Sequence, residues 1–238
     1  LGNFLDTYNC TAYGTSSVLE VLFKKVFGEH RNFSDRFIGI ISGTKNPGND
    51  PKTVIEFIRK QGMVKESSLP FPIDFKTEEE YYSPKPPTKE LVEEAKQFLA
   101  EHGVGYERLA DTKPKTLKEA LKRSPLGVAV KACTEKDGFY YFPESASYNH
   151  WTCLVDFEDG KSWTILDSYF PFIKKIGWNE PFGYGMRYWL GPGLKQQVSI
   201  LEQILAIYQR ILALLSAKPK VVSIPIPEAE PIDKLIKD

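Results

Sequence analysis

Apolar positions recur at helical spacing through the first part of the chain. Val18, Leu19, Val21, Leu22 and Val26 predict a helix that begins at Cys10, runs to Phe27 and stops at Gly28. Ser34 is a candidate N-cap for a short apolar helix ending near Gly43. Lys45 to Pro51 is rich in Pro, Gly and Asn and predicts a loop; Pro51 then suits the first turn of a helix Lys52 to Gln61, which Gly62 ends. Between Ser67 and Pro87 five prolines and the acidic run Glu78-Glu79-Glu80 predict a solvated surface loop. Leu91, Val92, Ala95, Phe98 and Leu99 share one face of a helix Thr88 to His102 with Gly103 as its stop. A strand is expected over Val104 to Leu109. Thr116 and Glu119 form a capping-box pattern for a helix Leu117 to Arg123.

From there the period shortens. Gly127 to Ala132, Phe139 to Phe142, Trp151 to Phe157, Trp163 to Asp167 and Arg187 to Leu190 read as strands, with Glu158-Asp159-Gly160-Lys161 as a hairpin turn. Helices first and strands later predict the α+β class. The pattern changes again at Gln196 to Ser216. Two adjacent seams appear there: Leu201, Leu205, Tyr208, Leu212 and Leu215 in one, Ile200, Ile204, Ile207, Ile211 and Leu214 in the other. Both alternate steps of four and three, the heptad period. Such a face needs a cover, so residues 196–216 are expected to join a homo-oligomer, an assembly partner or a protein surface. Glu202, Gln203, Gln209 and Arg210 argue against a membrane span. After Pro219 alternating prolines and β-branched residues predict an extended arm. The expected division is therefore residues 1–194, a helix 195–218 and an arm 219–238.

A chain of 238 residues suffices for one large or two-lobed domain. Lys plus Arg and Asp plus Glu are both 31, which speaks against wholesale nucleic-acid binding. Three cysteines cannot all pair, which favours a disulfide-free setting. Leu1 onward lacks a basic leader and an apolar run, so no signal peptide is read, and a cytoplasmic or virion-associated location is expected. The chain opens close to Cys10, which points to an upstream segment. His30, His102 and His150 lie far apart, and neither CxxC nor HExxH occurs. Gly183-Tyr184-Gly185 lacks the helix and lysine of a phosphate loop. No metal and no cofactor are expected.

The chemistry sits elsewhere. Cys10 opens an apolar helix, where the macrodipole favours thiolate over thiol. His150 begins one strand and Asp167 ends the next, so a hairpin brings them together although they lie 17 positions apart. A thiol, an imidazole to take its proton and a group to orient the imidazole make a nucleophilic set.

On these residues the chain resembles the papain family of cysteine peptidases. That family has cysteine on its first long helix, then histidine roughly 130 to 150 residues later; here His150 lies 140 residues after Cys10. Its Cys-Trp-Ala-Phe-Ser appears as Cys10-Thr11-Ala12-Tyr13-Gly14, its Asn-His-Ala-Val as Asn149-His150-Trp151-Thr152, and its Asn-Ser-Trp as Asp167-Ser168-Tyr169. Asn46-Pro47-Gly48-Asn49-Asp50-Pro51 is similar to its Gly-rich substrate loop. The resemblance spans about residues 3–189. It implies a two-lobed fold with an N-terminal helical lobe and a C-terminal antiparallel β lobe. It also implies Cys10 as nucleophile, His150 as base and acid, and Asp167 as orienter. Gly48, Asn49, Asn149 and Trp151 are the implied substrate-binding residues. The long apolar tail gives it the look of the bacteriophage or bacterial members.

Three positions depart from the family. Phe4 stands where it places an oxyanion glutamine, and removing one such donor costs about 2.7–4 kcal/mol; Asn3 is the expected substitute. Thr7 replaces a disulfide cysteine, and Asp167 replaces asparagine. The expected function is thiol-dependent hydrolysis of a peptide or isopeptide bond in a protein or peptide substrate. Two alternatives stay open: a virion structural or assembly protein on the same scaffold with little activity, and the same chemistry on peptidoglycan crosslinks or in group transfer.

Overall fold

The computed structural model describes residues 6–131 and 133–216, and of Leu214 and Ser216 the backbone alone. The chain divides into two compact units, Leu1–Gln197 and Val198–Asp238. The arm expected after Pro219 lies outside the described residues.

Helix α1 (Cys10–Phe27) ends where Gly28 turns left-handed, φ 73°, and donates its N–H to the Lys24 carbonyl. Helix α2 (Asp35–Ser42) is capped by Ser34, whose hydroxyl accepts from the Phe37 N–H. Helix α3 (Pro51–Gln61) has Pro51 in its first turn and Asp50 accepting from the Lys52 and Thr53 N–H groups. The stretch expected to be a solvated loop holds helix α4 (Glu78–Tyr81), capped by Thr77. Three glutamates in its first turn suit the positive end of a helix, and Tyr81 and Tyr82 behind them are buried. Aromatic burial decided what the charge run concealed. Helix α5 (Lys89–Glu101) leads directly into strand β1 (His102–Arg108). Helix α6 (Pro114–Leu121) starts before the expected capping box: Pro114 takes the first position, and just ahead of it the Lys113 N–H donates to Asp111 Oδ1 at 3.0 Å.

The strands are β2 (Leu126–Lys131), β3 (Thr134–Lys136), β4 (Phe139–Tyr141), β5 (Tyr148–Glu158), β6 (Ser162–Leu166), β7 (Ile173–Gly177) and β8 (Gly185–Pro192). They form one sheet in the order β1-β8-β2-β5-β6-β7-β4-β3. Its neighbours run antiparallel except β4 and β7, which meet in parallel at Tyr140 and Ile176. The pattern had shown neither β3 nor β7.

Strand alternation sends side chains into two cores. On one face Ala129, Trp151, Cys153, Met186 and Tyr188 meet Val18, Leu19, Leu22 and Phe23 of α1. On the other, Val128, Val130, Leu154, Trp163 and Ile165 meet Leu117 and Ala120 of α6. A third cluster joins Phe37, Ile40 and Ile41 of α2 to Tyr81, Leu91 and Ala95. The architecture is α+β, with helices early and the sheet late. Gly14 brings α1 against β5: a Cβ there would stand 2.8 Å from Trp151 Cδ1 and 2.9 Å from the Trp151 carbonyl oxygen.

Helix α7 (Leu194–Ser216) carries the heptad-like stretch. Ile200, Leu201, Ile204, Leu205, Ile207 and Tyr208 are all exposed. No helix among the described residues is long and apolar enough to cross a membrane.

Candidate active site

The first turn of α1 is built without a side-chain cap. Asn9 holds the N-cap position, but its amide donates to the Asp35 carbonyl at 2.9 Å and to the Tyr81 hydroxyl at 3.2 Å. Asn9 therefore does not cap the first N–H groups of α1, which point out at the helix start where an anion is favoured. Gly39 permits the arrangement, since a Cβ there would fall 2.5 Å from Asn9 Oδ1. Just upstream, Tyr8 takes a left-handed conformation, φ 54°, with its N–H on Asp6 Oδ1 at 2.8 Å. Cys10 is thereby set, half-buried, at the wall of a cavity of about 630 Å³.

The opposite wall comes from the sheet. In the β2–β5 ladder Val130 faces His150 while Lys131 faces Tyr148, so Asn149 bulges out of register. A bulge re-aims the side chains beside it, and His150 follows directly. Its Nε2 lies 2.7 Å from Asp167 Oδ1, and Cys10 lines the same cavity, near enough to act on the charge of the ring. With Nε2 engaged by the carboxylate, Nδ1 is the nitrogen left for the thiol. Burial favours the neutral imidazole but is outweighed by the hydrogen bonds and charges of Asp167 and Cys10, so His150 is pushed up to about 9. Burial likewise favours the neutral acid at Asp167, yet its contacts with His150 and Lys174 hold the carboxyl below its usual range.

Asp167 is enclosed. Oδ1 also accepts from the Tyr169 N–H at 3.2 Å, and Oδ2 accepts from Lys174 Nζ at 2.9 Å. Lys174 is 5% exposed and Asp167 3%. The sequence pattern did not reveal Lys174, because a lysine is expected to face water. A signal was present all the same: period two puts Lys174 on the face of Ile176, which is wholly buried. Tyr169, whose ring centroid stands 5.3 Å from that of His150, and Phe170 complete the rim.

Cys10, His150, Asp167 and Asn149 thus line one cavity. The other expected residues have different places. Trp151 is corrected to a core residue: it is 2% exposed, between Gly14 and Gly127, because the next position along the strand points inward. The side chain of Asn49 is committed within its own loop, donating to Ser42 and Thr44 and accepting from the Asp50 N–H. Gly48 lies close to the Tyr8 backbone, and its neighbour Pro47 reaches the cavity wall. Asn3 and Phe4 lie outside the described residues. Cys133 lines the cavity with its thiol pushed up by burial, whereas Cys153 is buried in the core. Among the described residues no three His, Cys, Asp or Glu side chains gather as metal ligands.

No family model matches the sequence, and no curated protein matches it. Solved structures do. The chain is similar to the cysteine protease CMS1MS2 of Carica candamarcensis, solved in complex with E-64, at 12% identity and a TM-score of 0.58, covering 76% of this chain and 88% of that one. It is similar to digestive procathepsin L 3 of Tenebrio molitor larval midgut at 17% identity and a TM-score of 0.56, over 82% of this chain and 67% of that one. The proform of the ragweed pollen allergen Amb a 11, a cysteine protease, aligns at 15% identity and a TM-score of 0.54, over 76% and 59%. The fold is papain-like. Here α1 packs on β5 at Gly14 and Trp151, and the residues just before these, Cys10 and His150, line one cavity.

Proposed function

We propose that the protein is a thiol-dependent hydrolase that cleaves a peptide or isopeptide bond. One observation carries the reading: His150 Nε2 is held at 2.7 Å by buried Asp167, and the ring shares its cavity with Cys10 at the start of α1. His150 takes the Cys10 proton, and the sulfur bonds to the substrate carbonyl carbon. The developing oxyanion faces the Cys10 N–H at the uncapped helix start, with Asn3 as second donor. The C–N bond then breaks as His150 returns the proton to the leaving amine. Water, deprotonated by His150, attacks the thioester; the S–C bond breaks, releasing the acid and the thiol. Asp167 holds the ring in position throughout. Asn149 and the backbone of Gly48 and Asn49 line the approach for substrate main chain.

The test is modification by an irreversible epoxide inhibitor of papain-type thiols, mapped by mass on native, Cys10→Ala and His150→Ala protein. Rapid modification confined to Cys10 and lost in His150→Ala is the expected result. Reaction of Cys10 no faster than that of Cys133 overturns the reading.

A second role is favoured by the exposed apolar residues of α7, which are spaced for helix association. Residues 196–216 serve assembly, with a second copy or another protein as partner, as in a virion component. Sedimentation of the full chain against a form with Leu201, Leu205 and Leu212 changed to Ser measures this. An unchanged oligomeric state argues against it.

A further inference from the structure

The buried lysine beside the site has a partner set too complete to be incidental. Strands β6 and β7 pair with Leu166 opposite Ile173 and Ile165 opposite Lys174, and the Asp167 N–H donates to the Phe172 carbonyl at 2.8 Å. The loop between them therefore folds over the Lys174 ammonium. Its three donors meet Asp167 Oδ2 at 2.9 Å, the Tyr169 carbonyl at 2.6 Å and the Pro171 carbonyl at 3.0 Å. The Tyr140 ring lies 5.5 Å away. A buried ion pair gives little net stability over apolar residues of the same volume, so a packing role alone does not require a charge here.

We propose that Lys174 is a positioning residue for the Cys10, His150 and Asp167 set. By holding Oδ2 it fixes the carboxylate plane so that Oδ1 meets His150, and it balances the carboxylate charge so that His150 faces an oriented acceptor in a nearly neutral surrounding. Through the Tyr169 carbonyl it also fixes the loop that places Tyr169 against the imidazole. The inference rests on reading Cys10 and His150 as nucleophile and base. A lone aspartate in this buried place binds the imidazolium too firmly, and a base that cannot release its proton is a poor acid toward the leaving amine. Among the described residues the titratable groups around the pair are Asp6, Tyr8, Cys10 and Tyr13 at the start of α1, Lys131 and Cys133 at the end of β2, Tyr140 on β4, His150 on β5 and Tyr169 in the loop.

The test follows the protonation midpoint of His150 by NMR of its imidazole, which needs no turnover, beside the pH dependence of Cys10 alkylation. Four proteins are compared: wild type, Lys174→Met, Asp167→Asn and the double variant. Removing the cation raises the His150 midpoint by about one pH unit, and removing the anion lowers it by about as much. The double variant, which loses both charges, returns to within about half a pH unit of wild type. A simple structural loss moves amplitudes without this order. If the double variant matches Asp167→Asn, or Lys174→Met leaves the midpoint unchanged, the proposal is overturned. If Lys174→Met does not fold, the double variant, free of buried unpaired charge, still decides. Slow Cys10 alkylation in wild type at every pH sinks the hydrolase reading instead, and the His150 order continues to report on Lys174 alone.

Discussion

Asp35 at the start of α2 and Asp167 at the end of β6 are the same side chain in opposite company. Asp35 sits beside Asn9, the residue before Cys10, and is pushed up to about 7 by burial and then by the charge of Glu66. The neighbouring Arg36 offsets this only through its backbone N–H, because its guanidinium donates to the carbonyls of Pro70, Tyr81 and Ser83. Asp167 leaves less surface exposed than the half-buried Asp35, yet His150 and Lys174 hold it below the usual range. Burial alone raises a carboxyl; two donors with positive charge reverse it. The helical side of the cleft therefore positions Cys10 with neutral hydrogen bonds and close packing, and the sheet side positions His150 with charge.

The largest effect expected from this contrast is at Asp167. Asp167→Ala strands the Lys174 ammonium in the interior and lowers stability by about 3–5 kcal/mol, read by urea denaturation. It also slows Cys10 alkylation, whereas Asp35→Ala leaves that rate near wild type; equal loss in both variants breaks the comparison. Next comes His150. Its folded value, about 9, lies above the ordinary 6.5, so its contribution is complete below pH 6.5 and is lost as pH rises through 9. Denaturation midpoints between pH 6.5 and 9.5 should fall by the equivalent of about 3 kcal/mol, and His150→Gln should flatten the curve.

Asp35 follows with the opposite consequence. A carboxyl raised to about 7 in the folded state subtracts stability as pH climbs from its ordinary value to 7. Asp35→Asn therefore stabilises at pH 8 by on the order of 2 kcal/mol, and the gain vanishes toward pH 4. A loss of stability at pH 8 would show a salt-bridged Asp35. The smallest effect is at the exposed Lys161–Glu158 pair, 2.8 Å apart with both side chains more than half exposed. A double-mutant cycle there should give below about 1 kcal/mol, since water screens what the interior does not.

Much of this was readable along the chain. Helix α1 with its Gly28 stop, Ser34 as a cap, Pro51 at a helix start and the β5–β6 hairpin all follow from local preferences that need no partner. Cys10, His150 and Asp167 stood out because their residue types and order match a nucleophilic set. Where the reading failed, long-range contacts had decided. Trp151 looked like a cleft aromatic beside His150, but α1 closes over it at Gly14. The acidic run at Glu78 looked like solvated loop, but it opens a helix that carries Tyr81 into the core.

Sequence by itself determined the α+β class, the order of most elements and the three residues around which a thiol mechanism is argued. The class and the elements are encoded in periodicity, caps and turns within a few residues, the three residues in their types and their order along the chain, which resemble the papain family. The tertiary structure decided the electrostatics. That Asp167 has one oxygen on His150 and the other on Lys174 depends on β7 turning its lysine inward, with three acceptors waiting there. Alternation with Ile176 marks the face on which Lys174 lies, but the energy that allows a buried cation comes from groups that only the fold brings together.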